Sequence, residues 1–224
     1  MDINKKVLEL EEKLNKISKV ITGENNSDYN LDVLGDKNVM QVNGTVRVKD
    51  ALLVFPTLTK ADQDARIKKG IDLINLQTMI AIPDTKEYID AFRSAFKDAL
   101  EYALKVGKLP SNFNANTPDQ NPFVDVESWL NGIENDEFFR DNLSGKRLIK
   151  NSKFVRDGER PSVLLNKDGQ PYGEDKQTSN LARAEIVISF AGYNKAGKKG
   201  IGRYIQGIRI MDDFTSSGGS SLFF

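Results

Sequence analysis

The residues best suited to chemistry in this chain are cations interleaved with aromatic rings. Lys146, Arg147, Lys150, Lys153, Phe154 and Arg156 form one group, and Tyr193, Lys195, Lys198, Lys199, Arg203 and Tyr204 form a second. Both fall in stretches patterned like strands, where every second side chain shares a face. Ammonium and guanidinium groups on such a face track a phosphate backbone, and flat rings beside them stack on bases without reading sequence. Stacking contributes about 1–3 kcal/mol per base, so two or three exposed rings give useful affinity. The same pattern admits a second arrangement, with Phe154 and Tyr204 pointing inward and only the cations facing solvent.

The alphabet removes most catalytic alternatives. The 224 residues contain no His and no Cys. A zinc site, a Ser-His-Asp triad, a Cys-His dyad and a disulfide framework are therefore absent. Carboxylates acting with Mg²⁺, or a Lys nucleophile, remain. Asp84 with Glu174 and Lys176 is the set available to a metal-dependent nuclease. Glu174 and Lys176, however, sit in a turn-rich stretch, not at converging strand ends. Gly197–Arg203 reads GKKGIGR and lacks the GxxxxGK[ST] spacing of a phosphate loop. We expect no catalytic residues, no cofactor and no metal.

The formal net charge is zero, but the charges are segregated. Gly145–Ile210 holds 14 Lys and Arg against 6 Asp and Glu, while Met1–Ser144 is net acidic. Such a division suits polyanion binding with internal competition. Attraction between basic and acidic faces of one fold is the simpler alternative. At the C-terminal end, Asp212 and Asp213 precede a Gly/Ser spacer, and the chain closes on Leu222, Phe223 and Phe224. Rings on a flexible tether suit a peptide offered to partner proteins.

These groups need elements to position them. Ile3, Val7, Leu10, Leu14, Ile17 and Ile21 follow a heptad spacing and predict a helix over residues 1–22. Its seam either pairs with another chain or packs on its own domain. Residues 23–37 predict a linker, residues 38–211 the folded domain, and residues 212–224 a flexible tail. Alternation at Val42, Val46 and Val48, then Ala51–Pro56, predicts two strands, the second ended by its proline. Ile80–Ile82 predicts another. Tyr88, Phe92, Phe96, Leu100 and Leu104 line one face of a helix that Asp84 or Thr85 can cap and that Gly107 and Pro110 stop. A short helix is expected around Trp129. Strands follow at Arg147–Val155, Ser162–Leu165 and Ala182–Tyr193, the last forming a hairpin with Gly202–Ile210.

The order of short motifs then carries a resemblance. Val54-Phe55-Pro56 is followed by the strand-Pro-helix of Ile80–Leu104 and by Phe154-Val155-Arg156-Asp157-Gly158. Next come Phe190-Ala191-Gly192-Tyr193, Lys199-Gly200-Ile201-Gly202 and Ile205-Gln206-Gly207-Ile208. From roughly Val42 to Phe224 this resembles the phage single-stranded-DNA-binding proteins. The resemblance implies a mainly β fold, an OB-like five-stranded barrel with an inserted helix, and a tail ending in an aromatic residue. It implies sequence-independent binding of single-stranded DNA in phage replication and recombination, in the cytoplasm of the infected host cell. Replication or recombination proteins would be met through Asp212, Asp213, Phe223 and Phe224. The N-terminal helix, a departure from the family pattern, offers a route to homo-oligomers. The tail's sparse acidity is a second departure. No apolar run reaches the roughly 20 residues that span a bilayer, so no membrane partner is expected. The rival reading is a virion or scaffold protein assembled through the N-terminal helix.

Overall fold

The computed structural model describes residues 37–212, apart from 72–74, 119, 132, 134–135 and 157–160. The heptad helix expected over 1–22, the linker up to residue 36 and the tail after Asp212 lie outside the described residues.

β1 (Val39–Val42) turns at Asn43-Gly44 into β2 (Thr45–Thr57), with Val42 facing Thr45 across the hairpin. Where the pattern suggested two strands there is one. Asp50 takes a left-handed conformation (φ 56) inside a bulge between Val48 and Ala51. The bulge adds one residue and so moves the core-facing set from Val46 and Val48 to Ala51 and Leu53. Pro56 accordingly falls within β2, one residue before its end.

The next element is a helix that the apolar pattern does not announce. α1 (Lys60–Ile67) begins on a capping box, in which Thr59 and Asp62 satisfy each other's backbone N–H groups. The Asp62 carboxylate is 4% exposed and accepts from the backbone N–H of Leu58, Thr59 and Thr178, the last at 2.7 Å. It ties two distant loops together.

β3 (Gln77–Pro83) leads into α2 (Lys86–Lys105). Thr85 occupies the N-cap position without a side-chain cap bond, and Asp84 is used elsewhere. The expected face of α2 is present, and three alanines complete it: Tyr88, Phe92, Ala95, Ala99 and Ala103 are buried. The alanines let the helix lie against the hairpin backbones. A Cβ on Gly192 would stand 2.4 Å from that of Ala103, and one on Gly44 would meet Ala99 at 3.5 Å.

After β4 (Phe123–Val124) come two short helices, α3 (Val126–Leu130) and α4 (Asp136–Leu143). Then follow β5 (Lys146–Phe154), β6 (Val163–Leu165), β7 (Arg183–Lys195) and β8 (Lys198–Asp212). β2 lies between β3 and β7, β3 pairs with β5, and β7 pairs with β8, all antiparallel. β8 then meets β5 in parallel, through Lys153 beside Tyr204 and Phe154 beside Ile205. The pairings therefore run in a ring, β2–β3–β5–β8–β7 and back to β2. Val46, Leu53, Ile80, Ile149, Ile186 and Ile205 fill its inner side.

A second apolar cluster covers part of the outside. Val54, Met79, Ala81 and Leu148 are buried under Leu130, Phe139 and Leu143 of α3 and α4, with the Trp129 and Phe139 rings edge to face at 5.5 Å. Among the described residues no helix is long and apolar enough to cross a membrane.

Candidate nucleic-acid interface

The twofold alternation of strands sorts the cation-aromatic groups into those that face solvent and those that do not. On β8, Gly200, Gly202 and Tyr204 share the outer face, while Ile201 and Ile205 point into the core. Gly200 is buried beneath the Gln120 side chain, whose amide a Cβ there would meet at 2.9 Å. Without a side chain at 202 the backbone of β8 is open to a neighbouring ring. The Tyr204 ring uses that space. A Cβ on Gly202 would lie 2.7 Å from the Cε2 and hydroxyl of Tyr204. Tyr193 pairs with Gly200 across the hairpin, and a Cβ there would stand 3.0 Å from the Tyr193 hydroxyl. The two tyrosines, both partly exposed, thus share one strand face over glycine.

Cations border this face. Lys153, exposed, is in parallel register with Tyr204 on the adjoining strand. At the hairpin tip Lys195 faces Lys198, and Lys199 follows, all three exposed and without an acidic partner among the described residues. Ala196 (φ 49) and Gly197 (φ 78) make the two-residue turn between them. Left-handed conformations at both central positions match the twist of the strands. Arg203 sits half-buried between the tip and the core, its Nε donating to the Asn151 carbonyl at 3.4 Å. Burial lowers its pKa, and the nearby Tyr193 opposes that shift. Burial raises the Tyr204 phenol, with Tyr193 adding to the effect. Tyr204 is therefore a neutral, flat surface at ordinary pH.

The rest of the predicted set is placed elsewhere. Phe154 is 7% exposed and belongs to the core, because it follows outward-facing Lys153 on the alternating strand. Its ring is not offered to bases. Lys146 and Arg147 lie at the far end of β5, seven and six residues from Lys153, or roughly 20 Å at the rise of a strand. Arg147 is paired with Asp84 at 2.8 Å. Lys150 donates from Nζ to the Pro118 carbonyl at 2.7 Å and holds the loop before β4. Arg156 reaches Glu174 at 2.6 Å and the Leu58 carbonyl at 3.1 Å, so it buttresses the loop that Asp62 organises.

Asp212, assigned from sequence to the flexible tail, is instead the last residue of β8 and pairs with Arg183 at 3.3 Å. The acidic set considered for a nuclease is similarly committed. Asp84 holds Arg147, and Glu174 holds Arg156 and the backbone N–H of Lys60. Among the described residues no group of three or more acidic side chains could hold a metal ion.

Gly200 and Gly202, which entered the sequence pattern only as part of a motif, prove to belong to the site, as does Gln120, whose Oε1 accepts from Ile201 N–H at 3.0 Å. Glycine at alternate positions before Tyr204 was the available signal for the first two. Nothing local marked the third, which acts across 81 residues.

No protein-family model matches the chain, and no curated protein matches it. Among solved structures it is similar to the single-stranded DNA-binding protein from bacteriophage Enc34 in complex with ssDNA. That match has a TM-score of 0.49 and 12% identity over 81% of this chain and 94% of that one. A C-terminal truncation of the same phage protein matches at TM-score 0.46 and 12% identity, over 81% and 92%. It is also similar to gp2.5, a single-stranded DNA binding protein encoded by bacteriophage T7, at TM-score 0.45 and 14% identity, over 78% and 88%.

Proposed function

We propose that the chain binds single-stranded DNA without regard to sequence, as a non-enzymatic component of phage replication and recombination. The observation that carries this reading is the Tyr204 ring over Gly202, with Lys153 in register on the next strand. Tyr204 and Tyr193 stack on successive bases, while Lys153, Lys195, Lys198 and Lys199 follow the phosphates. No base edge is read on this face, so affinity comes from stacking and charge.

The ring of five strands is an OB-like barrel in this reading. Such barrels bind on the face of their second and third strands and through the loop between the fourth and fifth. Here the second and third strands are β3 and β5, and α3 and α4 cover part of their outer face. The end of β5 around Lys153 and the Lys195–Lys199 turn remain open. That shift toward β8 supports Tyr204 as the centre of the site.

Partners follow from the segments outside the described residues. With Asp212 held by Arg183, Asp213 is the only acid left beyond the strand, too little charge to compete strongly with a nucleic acid. The tail instead presents Phe223 and Phe224 to an apolar pocket on a replication protein, and the heptad helix promotes self-association.

Titration of fluorescent oligo-dT at two salt concentrations tests binding. Absence of a salt-dependent complex would remove the reading. Deleting Ser221–Phe224 should change that affinity by less than about threefold, while abolishing capture of replication partners from infected-cell extract.

A further inference from the structure

The loop that Lys150 and Gln120 pin down also forms one wall of a pocket. Between α2 and the β4–β5 pair lies a cavity of about 210 Å³, whose lining includes Arg93 and Phe96 from the helix, Asn121 and Phe123 from the loop and β4, and Arg147 from β5. It is smaller than the roughly 300–1,000 Å³ that encloses a drug-sized ligand, which suits a single base with its sugar and phosphate left at the mouth.

The lining divides by chemistry. Phe96 is held edge to face against Phe190 at 6.0 Å, and Phe123 stands 6.1 Å from Phe92, so both rings are braced from behind. The polar groups are donors with unmet capacity. Asn121 Oδ1 accepts from Phe123 N–H at 3.1 Å, which fixes the amide and turns its Nδ2 away from that bond. Arg147 gives Nη2 to Asp84, but its Nε is buried without an acceptor. The rest of the Arg147 guanidinium, 34% exposed as a side chain, is what the pocket offers to a ligand. Arg93 is exposed at the mouth and has no acidic partner among the described residues.

We propose that this pocket takes one nucleotide of the bound strand. The base rests against Phe96 and Phe123, its edge accepts from Asn121 Nδ2 and from the accessible part of the Arg147 guanidinium, and the adjoining phosphate meets Arg93. With donors at the base edge, the pocket favours thymine, which offers carbonyl acceptors there, over adenine, whose N6 amino group is itself a donor. This tunes affinity at one contact and requires no sequence of the strand as a whole. The inference rests on the single-stranded DNA reading and adds to it a second contact point, built on α2, β4 and β5.

The full chain is cross-linked to oligo-dT carrying 5-iodouracil at single positions, and the adducts are mapped by mass spectrometry. In parallel, Arg93→Ala and Asn121→Ala are titrated with oligo-dT, oligo-dA and free dTMP. Adducts at Phe96 or Phe123 are expected. Arg93→Ala should lower oligo-dT affinity about tenfold, as loss of a charge-assisted hydrogen bond does. Asn121→Ala should narrow the preference for oligo-dT over oligo-dA.

Adducts confined to β7 and β8, with both variants binding like the wild type, would overturn the pocket and leave the tyrosine face standing. Binding of free dTMP that oligo-dT cannot displace would mark a site for free nucleotide and overturn the strand assignment. Failure of the wild-type chain to bind any oligonucleotide would overturn both readings together.

Discussion

The ring of Tyr204 folds back over the α-carbon of Gly202, so close that a methyl group there would come within 2.7 Å of it. The obstruction is the far end of a side chain, which can swing away. Gly202→Ala should therefore move the ring with little loss of stability, and weaken oligo-dT binding. Tyr204→Ala should cost about 1–3 kcal/mol of binding, the contribution of one stacked base, and Tyr204→Phe should stay near wild type. Fluorescence titration at fixed salt, beside urea unfolding of each variant, checks this. Wild-type affinity in Tyr204→Ala would remove the ring from the site.

The contact between Gly192 and Ala103 is of the opposite kind. Here the added methyl would meet another Cβ at 2.4 Å, both anchored to backbone, so neither can turn aside. Gly192→Ala should destabilise the fold by about 1–3 kcal/mol, the usual penalty of overpacking. Ala103→Gly should cost about 1 kcal/mol as a helix substitution. Combined, the two should cost less than their sum. Urea midpoints around the double-mutant cycle measure the coupling, and strict additivity would contradict the close packing.

Much of this arrangement was legible because strand and helix periods are strong signals. The run Ala182–Tyr193 and the face Tyr88, Phe92, Phe96 marked β7 and α2 directly. Ala95, Ala99 and Ala103 were harder to see, since small residues add little to an apolar period and matter here through closeness. α1 escaped because its capping box, Thr59 and Asp62, is followed by no apolar run to mark a helix, and Asp62 is further anchored by Thr178, 116 residues away. The bulge at Asp50 hid the continuity of β2, because a bulge breaks the alternation that defines a strand. In the candidate site, Lys146 to Arg156 read as one basic group. Twofold alternation turned Phe154 inward, and Asp84 and Glu174 engaged two of its arginines from 63 and 18 residues away. Cations in sequence do not reveal which acids the fold will bring to them.

Tyr88 predicts a pH dependence. Burial first, and then Asp50 and Glu87, push its phenol from 10.0 up to about 12. The fold thus favours the neutral phenol. That stabilisation is complete below pH 10 and is lost as pH rises through about 12, where the folded state must also ionise. Tyr88→Phe cannot ionise and should lose less stability than the wild type across this window. Urea midpoints of both proteins at intervals from pH 9.5 upward supply the comparison, with each point about half a unit apart. Parallel decline of the two curves would contradict the assignment.

Binding of single-stranded DNA by the β5–β8–β7 face is tested most directly by the salt dependence of oligo-dT affinity, for the wild type and for a chain with Lys195, Lys198 and Lys199 changed to Ala. Each phosphate contact on a single strand adds about 0.7 to the slope of log K against log salt. The wild-type affinity should fall steeply as salt rises, and the triple variant should bind more weakly with a slope about 2 units shallower. A wild-type affinity that ignores salt, or a triple variant with an unchanged slope, would contradict the placement of the strand on this face.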